Sequence, residues 1–153
     1  ERQYTLRSID EGVGKHHMND LSASLALSNL IGFQDRIEYR RMLAAKYDEL
    51  LDVSDITIVG NEEDRKSSYW LYPILLPNFD SRLDFVRKLK SHGIPTSVVH
   101  QRIDRHPLFN AQDKMESLVG QTWFDERQLN LPVNDTITVE DVEMICETIR
   151  SGW

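Results

Sequence analysis

The sequence predicts an α/β protein of the α+β type, with a small, mostly antiparallel sheet flanked by helices and a long bent helix at its start. Two observations lead to this class. The chain has 153 residues, of which 40% are hydrophobic, which is enough for the core of one ordinary domain but marginal for two. Segments with helical and strand periodicity follow the order α-β-β-α-β-α-α, which favours a small sheet with helices packed against it.

The first element is predicted to be one long helix that bends near Gly32 and ends before Asp55. Asn19 or Asp20 supplies a side-chain acceptor for its N-terminus. Between residues 21 and 31 the apolar residues fall on more than one face, so we expect that half of the helix to be buried. After Gly32 they form a single stripe opposite a charged face, which indicates an amphipathic helix.

Three short strands are predicted after this helix, at residues 56–59, 69–76 and 96–99. The second is rich in aromatic and aliphatic residues, whose bulk suits a strand that is covered on both faces. It contains Pro73, which has no N–H group to donate to a neighbouring strand. We therefore expect that position to lie at a sheet edge or at a bulge.

Two further helices are predicted before the last one, the first between the second and third strands and the second after the third strand. The first is capped by Asp80 or Ser81 and is closed by Gly93, which lies in the position after the C-cap. The second is an irregular helix within residues 110–130. Its apolar residues are expected to face inward; they are Leu118, Val119, Trp123 and Phe124.

The last helix has the clearest pattern in the chain. Thr138 and Asp141 form a variant of the capping box, and apolar residues recur at i, i+3, i+4 and i+7 from Val142 onward. Cys146, the only cysteine, lies on this apolar stripe, so we expect it to be a buried packing residue. A single cysteine also excludes a disulfide framework within the chain.

Charge and composition exclude several classes of function. The chain has 25 acidic and 18 basic residues and a net charge of −7, so no broad positive field attracts a polyanion and nucleic-acid binding is not expected. No apolar run approaches the roughly 20 residues of a membrane-spanning helix, and no signal-peptide pattern opens the chain. Together with the single cysteine, these features predict a cytoplasmic protein that has no membrane partner.

The loop at residues 12–21 contains glycines, Lys15 and two histidines, and it leads directly into a capped helix. Backbone N–H groups and a lysine at a helix start can hold a phosphate. The full Walker pattern fails, because it needs a glycine where this chain has Ile9 and Ser or Thr where it has His16. A site for a single phosphate and a solvated loop before a core helix both fit these residues.

A second candidate site is the polar loop at residues 100–106, which follows the third predicted strand. His100, Arg102 and Asp104 supply groups for acid-base chemistry and for binding an oxyanion. The alternative is that Asp104 only caps a short turn. No pair of histidines, and no histidine with Cys146, has the spacing of zinc ligands on one element, so no metal site is predicted.

The order of several motifs along the chain resembles a known family. They lie at residues 15–30, 40–51, 92–95, 99–104, 130–133 and 138–149. In this order and at these distances they resemble the C-terminal part of the DegT/DnrJ/StrS family of pyridoxal-phosphate-dependent sugar aminotransferases, especially members of the perosamine-synthase type.

The resemblance implies the C-terminal domain of a fold-type-I aminotransferase that requires pyridoxal 5'-phosphate. Residues 1–18 would connect to a large domain that is absent from this chain, and residues 19–153 would form the small domain. Such enzymes pass an amino group from a donor, usually glutamate, to a keto group on a nucleotide-linked sugar, and they act as homodimers. No lysine of this chain lies in the family's Schiff-base motif, so the chain alone is not expected to transaminate.

The resemblance also assigns roles to individual residues. Lys15 and His17 lie where the family's helix-entry loop reaches the cofactor phosphate in the neighbouring subunit. His100, Arg102 and Asp104 lie where relatives contact the nucleotide sugar, and Arg102 suits a diphosphate oxygen. Two other hypotheses remain: a sugar-nucleotide-binding module without catalysis, and an oligomerisation module that uses exposed apolar surface.

Overall fold

The fold is described from a computed structural model, for residues 18–60, 64–100, 102 and 118–153. The chain divides into two compact units, of which the first ends at Phe33 and the second begins at Gln34. The elements are, in order, α1 (Asp20–Leu30), α2 (Phe33–Leu50), β1 (Thr57–Ile58), β2 (Tyr72–Leu75), α3 (Phe79–Ser91), α4 (Val119–Arg127), β3 (Gln128–Leu131) and α5 (Val139–Arg150). None of the helices in these ranges is both long and apolar enough to cross a membrane.

Helix α1 belongs to the first unit and is capped by Asn19, whose Oδ1 accepts a hydrogen bond from the Ser22 N–H at 2.8 Å. The prediction that residues 21–31 are buried is wrong, because Leu21 is 72% exposed and no residue of α1 is buried. Apolar residues on all sides of a helix indicate that the helix is buried against a partner surface. They do not show that the covering surface is present in the same unit.

The single bent helix predicted from the sequence is two helices in the structure. Helix α1 ends at Leu30 and α2 begins at Phe33, so the interruption lies at the expected place. Between them Gly32 has a φ of +69°, a left-handed conformation that glycine adopts without steric cost and that ends the helix.

The second unit contains a three-stranded sheet in the order β1-β2-β3, with both pairs antiparallel. This confirms the predicted fold class. In the register of β2 with β3, Tyr72 pairs with Leu131 and Ile74 pairs with Leu129, so these four side chains share one face. The predicted strand at 96–99 is only a single bridge between Ser97 and Asn130.

The hydrophobic core lies between that face of the sheet and the helices α2, α3 and α5. Its fully buried members include Leu43, Tyr47, Tyr72, Phe85, Leu89, Val142 and Cys146. The burial of Cys146 confirms its predicted packing role. Helix α5 has the predicted capping box, in which Thr138 and Asp141 each bond the other's backbone N–H.

Pro73 lies in the central strand, so the expectation of an edge or bulge position is wrong. Its carbonyl accepts a hydrogen bond from the Val59 N–H at 3.4 Å, immediately after β1 ends at Ile58. The nitrogen and the carbonyl of one residue point to the same side of a strand. The missing N–H of Pro73 therefore faces the end of a two-residue strand, where it interrupts little pairing.

The predicted irregular helix at residues 110–130 also needs correction within its described part. Helix α4 ends at Arg127, and Gln128 begins the strand β3 without an intervening loop. Three of the four apolar residues expected to face inward are exposed, namely Leu118, Val119 and Trp123. Phe124 is partly buried. Helix α4 carries too few apolar residues on one face to form a core stripe.

Helix α3 is capped by Asn78 rather than by Asp80 or Ser81, because Asn78 Oδ1 accepts from the Ser81 N–H at 2.9 Å. Its other end confirms the prediction for Gly93, which has a φ of +72°. The Gly93 N–H bonds the Lys90 carbonyl and the Ile94 N–H bonds the Leu89 carbonyl, each at 3.0 Å. This is the Schellman motif, and it supplies hydrogen-bond donors to carbonyl groups that would otherwise lack a partner at the end of the helix.

We expect Gly93→Ala to lower the free energy of unfolding by about 1–2 kcal/mol, because an alanine would be forced into the left-handed region. A Cβ atom there meets nothing within 4 Å, so the loss comes from the backbone alone. The matched control is Gly120→Ala in α4, where the space is also open and φ is not positive. It should raise stability by roughly 0.5–1 kcal/mol. Urea titration of both variants checks the signs, and equal shifts in the same direction would contradict this account.

Candidate functional site

The second face of the sheet carries a cleft of about 430 Å³. Pro73, Gln128 and Asn130 form its floor, because they alternate with the core residues along β2 and β3. Its walls come from the residues before β2, from the segment after α3 and from helix α4, and they include Val59, Trp70, Val99 and Phe124. We call this the sheet cleft.

Two buried amide side chains hold the segment after Ser97 against this face. Asn130 and Ser97 exchange two backbone hydrogen bonds, at 2.8 and 3.3 Å, and Asn130 Nδ2 donates to the Ser97 carbonyl at 3.0 Å. Gln128 Nε2 donates to the His100 carbonyl at 3.3 Å. Both amide residues are only 3% exposed. The strand β3 therefore positions the start of the loop that the sequence singled out as a candidate site.

The structure brings two of the predicted substrate-contact residues to the region of the sheet cleft. The exposed His100 lies beside Trp70, with the ring centroids 6.3 Å apart. Arg102 is buried, and its guanidinium donates a hydrogen bond to Thr122 Oγ1 on α4. A diphosphate contact by Arg102 stays a prediction. Lys15, His17 and Asp104 lie outside the described residues, so their roles also stay predictions.

Sequence reasoning missed Trp70, Gln128 and Asn130 as site residues. The signal was present in the run Gln128-Leu129-Asn130-Leu131, which alternates polar and apolar residues as a strand with two different faces does. The pattern was missed because residues up to 130 were assigned to the predicted irregular helix. Once β3 is a strand, its two amides must share the face opposite Leu129 and Leu131.

The described residues contain no cluster of metal ligands, and their one cysteine is buried. No group of three His, Cys, Asp or Glu residues within them is arranged to hold a metal ion. Burial raises the pKa of the Cys146 thiol to about 11, which keeps the thiol protonated at neutral pH. No lysine is among the described residues that line the sheet cleft or three further clefts.

Comparison with known proteins relates this fold to aminotransferases. The model of the DegT/DnrJ/EryC1/StrS aminotransferase family matches residues 2–150. The sugar aminotransferase CalS13 from Micromonospora echinospora is 30% identical, with a TM-score of 0.80 over 89% of this chain and 36% of CalS13. AtS13 from Actinomadura melliaura is 32% identical, with a TM-score of 0.82 over 95% of this chain and 38% of AtS13.

The PLP form of Spr1654 from Streptococcus pneumoniae shares the fold at 21% identity, with a TM-score of 0.74 over 88% of this chain and 35% of that protein. A PMP form of Spr1654 gives the same values. The comparison with curated proteins found no match. This chain thus spans less than half the length of the three proteins with which it is compared. The match over residues 2–150 confirms the resemblance seen in the order of motifs: the chain belongs to the DegT/DnrJ/EryC1/StrS aminotransferase family.

Proposed function

We propose that this chain is the C-terminal part of a pyridoxal-phosphate-dependent aminotransferase that transfers an amino group to a keto nucleotide sugar, with glutamate as the donor. The observation that carries the proposal is that the family match extends over residues 2–150, whereas the chain covers only 36% of CalS13. Residues 1–18 then connect to a large domain, and residues 19–153 form the small domain. The chain by itself does not catalyse the reaction.

The cofactor of the complete enzyme is pyridoxal 5'-phosphate in this proposal, supported by the PLP and PMP forms of the structurally similar Spr1654. When bound, this cofactor carries the amino group between donor and acceptor. Lys15 and His17 contact its phosphate in the neighbouring subunit of a homodimer. His100, Arg102 and Asp104 contact the nucleotide sugar. The enzyme acts in the cytoplasm.

The first test is the coding sequence upstream of Glu1. The proposal expects an in-frame segment that carries the family's Schiff-base lysine, and a start codon directly before Glu1 would contradict it. The complete enzyme should show the visible absorption band of the bound cofactor and should aminate a keto nucleotide sugar. This chain expressed alone should do neither, because none of its lysines lies in the Schiff-base motif.

Within the complete enzyme, Lys15→Ala should weaken the retention of pyridoxal phosphate on the order of ten-fold, because one charged hydrogen bond to the phosphate is lost. The matched control is Lys66→Ala, which removes an equal charge from an exposed side chain paired with Glu38 at 3.7 Å. Dialysis followed by absorption spectroscopy measures the retained cofactor. Equal retention by the two variants would remove Lys15 from the phosphate site.

A second candidate function is an oligomerisation module without catalysis. The observation in its favour is the exposed apolar surface of α1 and of the turn that follows, where Leu27 is 67% and Ile31 is 77% exposed. Sedimentation of this chain separates the two functions. A monomer at high protein concentration would contradict the oligomerisation module and leave the aminotransferase proposal unchanged.

A further inference from the structure

We propose that Thr122 is a positioning residue of the enzyme, because its hydroxyl holds the Arg102 guanidinium in the direction in which that group meets the nucleotide sugar. The inference rests on the proposed function, in which Arg102 contacts this substrate. It assigns a role to a residue of α4 that lies outside every motif by which the family resemblance was recognised.

The segment that leads to Arg102 is fixed to β3 by hydrogen bonds that change in kind along its length. Ser97 pairs with Asn130 through the backbone, in two hydrogen bonds of 2.8 and 3.3 Å. Further along, the pairing passes to a side chain, since Gln128 Nε2 donates to the His100 carbonyl at 3.3 Å. Because Gln128 is 3% exposed, solvent replaces this hydrogen bond poorly when it is broken.

The next contact lies on α4 and holds the charged end of Arg102. The guanidinium donates to Thr122 Oγ1, and Arg102 is only 9% exposed. As the segment advances from residue 97 to residue 102, its partners thus descend from 130 through 128 to 122. The Thr122 hydroxyl is neutral, so this bond fixes the direction of the guanidinium and does not itself neutralise the positive charge.

The partner residues belong to a rigid part of the fold. Thr122 lies inside α4, where its N–H bonds the Leu118 carbonyl at 2.9 Å. Helix α4 ends at Arg127, and β3 begins at the next residue and pairs with the central strand along its whole length. A side chain that is held by a helix or a strand is placed more precisely than one that is held by a loop. Thr122 therefore supplies a fixed point for Arg102.

The fixed guanidinium has a consequence for binding. An arginine side chain has several rotatable bonds, and a ligand that must order them pays for the lost conformational freedom. The bond to Thr122 orders the Arg102 side chain before the ligand arrives. Loss of the hydroxyl should therefore weaken the binding of the nucleotide sugar and leave the reaction with the amino donor unchanged.

The first test is Thr122→Val in the complete enzyme, which removes the hydroxyl and keeps the branched shape. We expect the KM for the nucleotide sugar to rise on the order of ten-fold, with kcat and the KM for glutamate unchanged. Thr122→Ser keeps the hydroxyl and should restore the KM. If Thr122→Val fails to fold, Thr122→Ala removes the same group. An unchanged KM for the nucleotide sugar, or an equal rise in both KM values, would overturn the proposal.

The matched control is Thr148→Val in α5. Thr148 is also a partly buried threonine within a helix, and its hydroxyl donates to the Met144 carbonyl at 2.9 Å. This substitution should leave both KM values unchanged. A rise in the KM for the nucleotide sugar equal to that of Thr122→Val would show that the effect is not specific to the contact with Arg102.

A double-mutant cycle tests whether Thr122 acts through Arg102. Arg102→Ala should itself raise the KM for the nucleotide sugar, and the addition of Thr122→Val should then raise it no further. Residues that act as one unit are non-additive in this way, whereas independent residues have additive effects. Additive effects on the logarithm of KM would contradict the positioning role.

A measurement on the 153-residue chain tests the contact without any activity. The guanidinium N–H resonances of Arg102 are assigned as those that are missing from the Arg102→Lys variant. In Thr122→Val they should exchange with solvent on the order of ten-fold faster, because the hydrogen bond that restrains the group is lost. Equal exchange rates in the unmodified chain and in the variant would overturn the contact.

The outcome is separable from that of the proposed function. A complete enzyme that aminates nucleotide sugars with the same KM in the Thr122→Val variant would disprove only the positioning role. Faster exchange at Arg102 in Thr122→Val, in a protein without amino transfer, would disprove the aminotransferase proposal and support the orientation of Arg102 by Thr122.

Discussion

Replacing Tyr72 with alanine is expected to lower the free energy of unfolding by about 3–5 kcal/mol, the largest effect that we expect from a single substitution in this chain. Tyr72 is 1% exposed and lies in the central strand. Its ring stacks on Tyr47 with the centroids 4.7 Å apart, and its hydroxyl donates to Asp48 Oδ1 at 2.6 Å. The alanine variant loses the ring contacts and leaves a cavity between the sheet and α2.

The control is Tyr72→Phe, which keeps the ring and removes only the hydrogen bond to Asp48. It should cost about 1 kcal/mol. Urea denaturation followed by circular dichroism measures both variants. Because a domain of this size is stable by only about 5–15 kcal/mol, the alanine variant should be close to unfolding at physiological temperature. A difference of less than about 1 kcal/mol between the two variants would show that the ring contacts matter little.

The second large effect is a loss of stability at alkaline pH. Burial raises the pKa of the Tyr47 hydroxyl above its ordinary value of 10.0, and burial together with the bond to Asp48 does the same for Tyr72. Burial also raises the pKa of Cys146 from 9.0 to about 11. In each case the folded state favours the neutral form.

The sign of the pH dependence follows from these directions. Below about pH 8 the three groups are almost entirely neutral in both the folded and the unfolded state, so their contribution to stability is complete. As the pH rises through the ordinary pKa values, the unfolded chain releases protons that the folded chain still holds. The free energy of unfolding then falls by up to about 1.4 kcal/mol per pH unit for each group. Urea midpoints measured from pH 8 to about pH 11.5 should show this decline.

Tyr47→Phe provides the matched test, because it removes one of the three titrating groups and keeps the ring. The variant loses the hydrogen bond to the Pro132 carbonyl, 2.9 Å long, so it should be less stable at neutral pH. Its free energy of unfolding should nevertheless decline less steeply above pH 10. The slope should be smaller by the contribution of one titrating group, up to about 1.4 kcal/mol per pH unit. An alkaline slope equal to that of the unmodified protein would show that Tyr47 titrates normally in the folded state.

Features that depend on neighbouring residues were predicted well from the sequence. The capping box at Thr138, the left-handed Gly93 and the break at Gly32 all follow from local chemistry. The same holds for the burial of Cys146, since its helix has a single apolar stripe. Errors appeared where the answer depends on a distant partner. The burial of residues 21–31 was expected from composition, but nothing in a local pattern shows whether a covering surface exists.

The residues of the candidate site also fall into those that local sequence identifies and those that depend on distant partners. His100 and Arg102 were identified because charged and titratable residues in a loop after a strand are visible in the sequence. Gln128 and Asn130 were not, because a neutral amide becomes a site residue only when its neighbours orient it. Their partners are the carbonyls of Ser97 and His100, about 30 residues earlier in the chain.

The sequence by itself determined the class of fold, the ends of its best helices and the family, because these depend on residue spacing and on the order of motifs. Only the tertiary structure decided that Pro73 lies in the central strand, that β3 continues directly from α4, and that the exposed Trp70 and two buried amides line one cleft. The physical reason is that strand pairing joins residues far apart in the chain. Which face a side chain occupies is settled by that pairing and not by the residue alone.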